Sequence, residues 1–421
     1  MLGLENVHNY TILETKNEKQ YMKITNEIAI LISWPRELDM FSTFIENTID
    51  NVVIVVDDFV YDEGERLEKG ESIIKCLDEK IEYVLLSEVL GKVKYRILFS
   101  TGGQVFQQKV TYSSYFKYLY AVSIGSFIEH FKLSKFFLET VGRSLTGGGK
   151  YAEKFGKYPI ERAIGKKVIK YPKGLDINKA TYPEDQWKNV FDIYLCHSNI
   201  DQNLINNKFP DAKCIKIGYP RYDNIPSISN AKNIIYNEIK SIDAEKPLLL
   251  WMPTMIKIRG ELIDNIRIWI PIFEKILDKY NILIRVHPKM LVMDTKIASY
   301  LKDLGFLVDV KKGRNLGVLY QASDLVLADY GASVLSAVYM KKKLILLNSS
   351  SRKYLRWRKE RMYVDDDVRS NVNAFSVNDS TALHKQINES IQNNNTLRRD
   401  NLKKQYFGED CDYENLRELF L

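Results

Sequence analysis

The chain has 421 residues, with 61 Lys and Arg against 54 Asp and Glu and a formal net charge of +7. Hydrophobic residues make up 45% of it, enough for the cores of two or three ordinary domains, which excludes a disordered chain. The positive excess is mild and spread out, which excludes a nucleic-acid-binding tail; it fits anionic substrates, an anionic membrane surface or a solvated basic surface.

In chain order, strand-like and helix-like segments alternate. The first twenty residues contain no apolar run of signal-peptide length. No window holds eighteen uncharged apolar residues, so no transmembrane helix is expected. The protein therefore reads as cytoplasmic, and it would meet the inner face of a membrane only peripherally. Residues 27–33 read as a strand, 36–49 as an amphipathic helix, and 52–58 as a buried strand ending on Asp57 and Asp58. Strands at 83–88 and 95–101 follow, the second running into Gly102. Residues 112–141 carry Tyr, Phe and Leu at helical spacing. Gly147-Gly148-Gly149-Lys150 lacks phosphate-loop spacing and reads as a flexible loop or hinge.

Short strands at 166–174, 191–198 and 214–220 come next, then a helix and polar connector over 228–246. The domain boundary is placed here, giving domains 1–238 and 239–400 and a helical tail 401–421. The second half opens on the strand 247–254 and alternates strand and helix through residue 348. Such alternation predicts α/β layers with parallel sheets, as two Rossmann-like halves facing across a cleft. Cys76, Cys196, Cys214 and Cys411 form no CxxC pair and have no histidine at metal-ligand spacing. Cys76, Cys196 and Cys214 read as buried thiols in a reducing compartment, and neither a metal nor a cofactor is expected.

Two segments carry the chemistry. Residues 281–289 read as a buried strand delivering His287 and Pro288 at its end; residues 323–348 deliver Asp329, Tyr330, Gly331, Ala332 and Ser333 and then open a helix. Ligands of open parallel sheets bind beyond the carboxyl ends of the strands, and a helix N-terminus suits phosphate. The pair predicts a pocket for a nucleotide mono- or diphosphate. Ser333 and the amides of Gly331 and Ala332 are the phosphate donors, with an ordinary helix cap by Asp329 or Ser333 as the compatible alternative. His287 would bind a donor phosphate or act in acid–base catalysis. Thr254 ends the strand 247–254, and Lys257 and Arg259 follow, either neutralising a diphosphate or lying solvated. Asp57 and Asp58 are either catalytic carboxylates or caps of the next turn. The basic aromatic run 352–363 reads as a membrane- or polyanion-binding face or as a solvated helix with an apolar side. His8, His130, His197 and His384 are left as structural or surface residues.

These motifs together resemble the CDP-glycerol glycerophosphotransferase family, which includes teichoic-acid primases and polymerases. The resemblance rests on YPKG at 171–174, FDIYLCHS at 191–198, GYPRYD at 218–223, MPTM at 252–255, RVHP at 285–288 and SDLVLADYGAS at 323–333. Residues 406–420 resemble the closing segment of the family. It implies a GT-B fold, with donor binding by the C-terminal domain and acceptor binding by the N-terminal one. His287, Ser333 and the neighbouring turn would hold the donor phosphates. Gly174, Asp176, Gly218, Arg221 and Asp223 would lie at the cleft or its hinge. The partners implied are a nucleotide-activated donor, cytidine-linked as in the family, and a glycan or lipid-linked polymer acceptor, with no nucleic acid. Lys173 replaces a histidine of the family, Ile256 an arginine and Ala332 a serine. Lys173 would grip a phosphate from the facing domain, and the base would be Asp58 or Asp176. A looser resemblance to sialyl- and Kdo-transferases keeps open a CMP- or UDP-sugar glycosyltransferase, with Asp57 or Asp58 as base. An epimerase and a non-catalytic scaffold on the same fold are the remaining alternatives.

Overall fold

The computed structural model describes residues 9–13, 20–33, 37–38, 40–41, 43–44, 52–58, 82–90, 92–102, 161, 164–182, 191–258, 261–263, 265–311, 314–376 and 380–420. The glycine run at 147–150, the helix expected over 112–141 and Arg259 lie outside these residues. The helical fragments within 37–44 bury Met40, Phe41 and Phe44, one face of the amphipathic helix expected there.

The N-terminal strands are β1 (Asn9–Leu13), β2 (Gln20–Ile32), β3 (Val52–Val56), β4 (Tyr83–Leu85), β5 (Val93–Ser100), β6 (Gly165–Lys170), β7 (Ile193–Cys196) and β8 (Lys213–Lys216). They form one sheet in the order β4-β3-β2-β5-β6-β7-β8, parallel throughout, with β1 antiparallel on β2. Residues 28–32 of β2 are all buried, as expected of a parallel strand covered on both faces, whose sequence is a continuous apolar run rather than an alternation.

The C-terminal strands are β9 (Leu248–Trp251), β10 (Ile256–Ile258), β11 (Glu261–Ile263), β12 (Asn281–Arg285), β13 (Leu307–Asp309), β14 (Leu325–Ala328), β15 (Leu344–Asn348) and β16 (Ala374–Ser376). Six of them form a second parallel sheet in the order β13-β12-β9-β14-β15-β16, while β10 and β11 make a separate hairpin. Lys257 thus sits on a hairpin strand rather than in a plain loop. Leu248 and Leu250 face one core and Leu249 and Trp251 the other, the period of two that a pleated strand imposes.

Each sheet reverses its strand order once. The chain runs outward from β2 through β3 to β4, then crosses to β5; it runs from β9 through β12 to β13, then crosses to β14. The crevice at such a reversal, beyond the carboxyl ends, is where open α/β sheets bind ligands. The two reversals, β2/β5 and β9/β14, therefore mark the places to look for chemistry.

The halves share a core. Leu175, Ile177, Tyr219 and Tyr222 pack with Leu250 and Ala328 of the second sheet and Val334 of the helix Ala332–Tyr339, and Leu402, Tyr406 and Phe407 close the same cluster. The last helix, Tyr413–Phe420, returns to the first sheet. Leu416 and Phe420 enter its core, with the Phe420 ring centroid 5.1 Å from that of Phe99. The segment read as a tail thus straps the second half onto the first.

Candidate functional site

The first candidate site is built at the β9/β14 reversal. Asp329, fully buried, follows β14 and reaches across to β9: the Thr254 amide donates to its two oxygens at 3.0 and 2.9 Å. The Tyr330 amide (2.8 Å) and the Asn265 side chain donate to it as well. Burial raises the Asp329 pKa, and these donors oppose the rise. The Thr254 hydroxyl donates to the Tyr330 carbonyl at 2.5 Å. Asp329 and Thr254 therefore brace the two strand ends against each other.

The turn beyond Asp329 is held from behind. The Tyr330 hydroxyl accepts from the Ser349 amide at 2.9 Å, and its ring lies between the guanidinium groups of Arg358 (4.5 Å) and Arg369 (3.9 Å). Gly331 has φ +77°, a left-handed conformation that favours glycine, and it is the cap residue of the helix Ala332–Tyr339 without any side-chain cap. Its amide donates to Asp365 at 2.9 Å, and the other Asp365 oxygen accepts from Arg358 at 2.6 Å. The Gly331 amide is thus engaged, leaving those of Ala332 and Ser333, which as the first helical positions have no intrahelical acceptor. The Ser333 hydroxyl donates back to the Tyr330 carbonyl at 3.2 Å. His287 stands at the end of β12, beside β9. Half-buried, it starts the helix Pro288–Met293, its carbonyl accepting from the Met290 amide at 2.8 Å. Pro288 occupies the first helical position, where its missing N–H costs nothing.

A second cluster of polar groups is built at the β2/β5 reversal. The Ser33 amide (2.7 Å) and the Thr101 hydroxyl (2.6 Å) both donate to buried Glu37, tying the end of β2 to the end of β5. Asp57, fully buried, donates its amide to the Ile32 carbonyl at 2.9 Å. Both oxygens of Asp58 accept from Ser87, one from its amide at 2.9 Å and one from its hydroxyl. Ser87 lies in the helix Leu86–Val89, twenty-nine positions on, so this contact ties the end of β3 to that helix. Ser100 donates to Glu161 at 3.0 Å. Glu161 is 1% exposed, and burial pushes its carboxyl up to about 7, with its own backbone amide, Ser100 and Lys173 opposing the rise and Asp57 adding to it.

One segment links the two sides. Tyr171 follows β6, its amide donating to the Ser100 carbonyl at 2.8 Å and its hydroxyl to Met40 at 3.0 Å. Half-buried Lys173 and Gly174 come next. Asp176 then lies beside the turn at Gly331, its Oδ1 3.7 Å from where a Gly331 Cβ would stand. Asp176 is exposed at the surface, yet the protein packed around its carboxyl, with Asp365 nearby, pushes it up to about 6 against the pull of Arg358. The segment ends docked on the helix Val364–Val368, through Ile177 carbonyl to Val364 amide (3.1 Å) and Lys179 to Asp367 (2.5 Å).

The connection between the sheets holds Gly218, Arg221 and Asp223. Gly218 has φ +62°, and a Cβ there would meet the Tyr339 hydroxyl at 3.1 Å. Its carbonyl accepts from His197 Nδ1 at 2.8 Å; burial lowers that histidine to about 3, so it is neutral. Asp223 accepts from the hydroxyls of Tyr339 and Tyr413, joining the connection to the second sheet's helix and to the final helix. Arg221 lies over the Tyr222 ring at 5.9 Å.

Sequence reasoning missed Glu37, Glu161, Asp365 and Arg369. Glu161 sits in YPIERAIG, which has no strand or turn signature. Asp365 and Arg369 follow a run that was noticed for its basic surface, and only the fold turns Tyr354 and Arg358 inward toward Tyr330. Among the described residues no group of three His, Cys, Asp or Glu is suited to a metal, and no helix is long and apolar enough to cross a membrane. A basic cavity of 510 Å³, lined by Lys232, Lys246, Lys342 and Arg399, lies at the amino ends of β9 and β14. That is the wrong end of a parallel sheet for the donor chemistry.

Two Rossmann-like domains with their strand-order reversals joined by one short segment define the GT-B fold. The family described as CDP-glycerol:poly(glycerophosphate) glycerophosphotransferase matches residues 163–413, and the chain belongs to it. The protein is thus a transferase of the CDP-glycerol glycerophosphotransferase type. Among solved structures, the wall teichoic acid polymerase TagF aligns at TM-score 0.55 and 11% identity, covering 94% of this chain and 87% of that one. A UDP-N-acetylglucosamine 2-epimerase aligns at TM-score 0.50 and 10% identity, covering 93% and 94%. At such identities these structures establish the fold. A sequence search of curated proteins returned no match.

Proposed function

We propose that this protein transfers glycerol phosphate from CDP-glycerol to a hydroxyl of a growing cell-wall polymer of the teichoic-acid kind. The donor lies at the β9/β14 reversal. His287 and the amides of Ala332 and Ser333 hold its phosphates and stabilise the charge on departing CMP, an electrostatic effect typically worth a few kcal/mol. Lys173 reaches the same phosphates from the facing domain. The acceptor hydroxyl arrives from the β2/β5 side. One observation carries this reading. The segment 171–176 leaves the first sheet's carboxyl edge and delivers Asp176 to the donor turn. Lys173 and Asp176 are three positions apart, at most about 11 Å of chain, so the two reversals lie within the span of one donor molecule.

The decisive experiment is a thermal-shift panel of CDP, CMP, UDP, GDP and ADP on the wild type and His287→Ala. A ligand bound only by the folded state raises the midpoint. Stabilisation by CDP and CMP alone, lost in the variant, is expected; stabilisation by UDP or GDP instead would move the donor to a nucleotide sugar. Peripheral attachment to the inner face of the membrane is part of the same reading. It is supported by Arg352, Lys353, Arg356 and Lys359, all exposed on one helix. Co-sedimentation with anionic but not neutral vesicles tests it.

A further inference from the structure

We propose that Glu161 is the general base of the acceptor side, taking the proton of the attacking hydroxyl on its uncommitted carboxylate oxygen. The inference rests on the glycerophosphate-transfer reading above. Its geometry is specific. Glu161 Oε1 is fixed by the Ser100 hydroxyl at 3.0 Å, while Oε2, buried, has no hydrogen-bond partner. A buried carboxylate oxygen left without a donor is costly and uncommon in folded proteins. Ser100 is the last residue of β5, at the reversal where a ligand of this sheet belongs. The Ser100 hydroxyl is itself positioned by the Gly102 amide at 3.0 Å.

The other carboxylates of the region are differently placed. Asp58 is engaged by Ser87 through both oxygens, and Glu37 by Ser33 and Thr101. Asp176 stands on the donor side, beside Asp365, where a negative charge repels the donor's phosphates. Glu161 feels Asp57 from the end of β3 and Lys173 from the loop after β6. Burial and Asp57 bring it to about 7, the range in which a carboxylate is both ionised and basic enough to accept a proton.

The step balances as follows. The acceptor oxygen forms a bond to the glycerol-bearing phosphorus. The bond from that phosphorus to the bridging oxygen breaks, and CMP leaves with the electron pair. The hydroxyl proton goes to Glu161 and is released to solvent after turnover. Lys173, where the family resemblance has a histidine, keeps its charge for the phosphates, and the base is supplied from the adjoining strand-end cluster.

The test is steady-state transfer from CDP-glycerol between pH 5.5 and 9 for wild type, E161Q and S100A, with the CDP thermal shift measured alongside. For the wild type, a rising limb centred near 7 is expected. E161Q should lose roughly 100-fold or more in kcat, keep its KM for CDP-glycerol and its CDP shift, and show no rising limb. S100A removes a hydrogen bond that favours ionised Glu161, so its limb should move to higher pH. A purely structural role for Glu161 would not produce that movement. E161Q turning over at the wild-type rate with its CDP shift retained would overturn the assignment alone, as would an S100A limb that stays in place. Absence of any CDP shift in the wild type would overturn the donor reading and this proposal with it.

Discussion

At the scale of single residues, the site works by fixing a few polar groups whose alternatives are worse. Asp329 satisfies the Thr254 and Tyr330 amides and the Asn265 side chain at once. Asp329→Ala strands those buried donors, at a cost of about 1–3 kcal/mol for an unsatisfied group. Urea unfolding should show a loss of at least roughly 2 kcal/mol, with CDP stabilisation gone as the β9/β14 ends part. His197 gives a pH signature. Its pKa falls from 6.5 to about 3 on burial, so the unfolded state takes up the proton first. The stability it contributes is complete above 6.5 and declines as pH falls through that value toward 3. Between pH 6.5 and 5 the loss is about 2 kcal/mol, at 1.36 kcal/mol per unit. Urea midpoints at the two pH values, compared with His197→Gln, should show the wild-type slope flattened in the variant. This histidine's surroundings were illegible in FDIYLCHS, because its partner is a carbonyl twenty-one positions away, at Gly218.

At the scale of elements, the parallel strands were legible because their signal is local. Runs such as VVIVV at β3 and LLLW at β9 are bounded by polar turns, and β-branched and apolar residues suit a pleated strand buried on both faces. The expected strands 166–174 and 214–220 shorten to β6 and β8; their last four residues, each stretch carrying a proline and a glycine, leave the ladder to form the linking segment and the hinge. The final helix was recognised as helical, but its place was not. Its apolar positions say that one face is buried and cannot say against what. With Leu416 and Phe420 in the N-terminal core, Phe420→Ala should cost about 3–5 kcal/mol. Hydrogen exchange should show the loss concentrated in β2 and β5 rather than in the C-terminal sheet. Loss confined to residues 396–420 would contradict this packing.

At the scale of the whole molecule, the two domains are joined by apolar surface and by polar ties. The shared core crosses from Leu175 and Tyr219 to Leu250 and Val334, and Asp223 joins the connection to Tyr339 and Tyr413. Calorimetry should therefore show one cooperative transition. CDP at a hundred times its dissociation constant should shift that transition as a unit, by about 2.7 kcal/mol. Two transitions, with only one moved by CDP, would mean that the domains unfold separately. The Lys179–Asp367 pair is partly exposed on both sides and should add at most about 1 kcal/mol in a double-mutant cycle.

By itself the sequence determined the class of this protein. Strand-ending motifs at 285–288 and 323–333, in order with those at 171–174 and 218–223, carried both the family and the two-domain layout, because turn chemistry and apolar runs are written in neighbouring residues. Tertiary structure alone decided the roles within the site. It placed Asp365 on the Gly331 amide, turned Asp58 onto Ser87, and brought Glu161 to Ser100 across sixty-one positions. Pairings of that kind depend on which strands become neighbours and on burial at their ends. The packing of the whole chain sets both, and no local pattern records them.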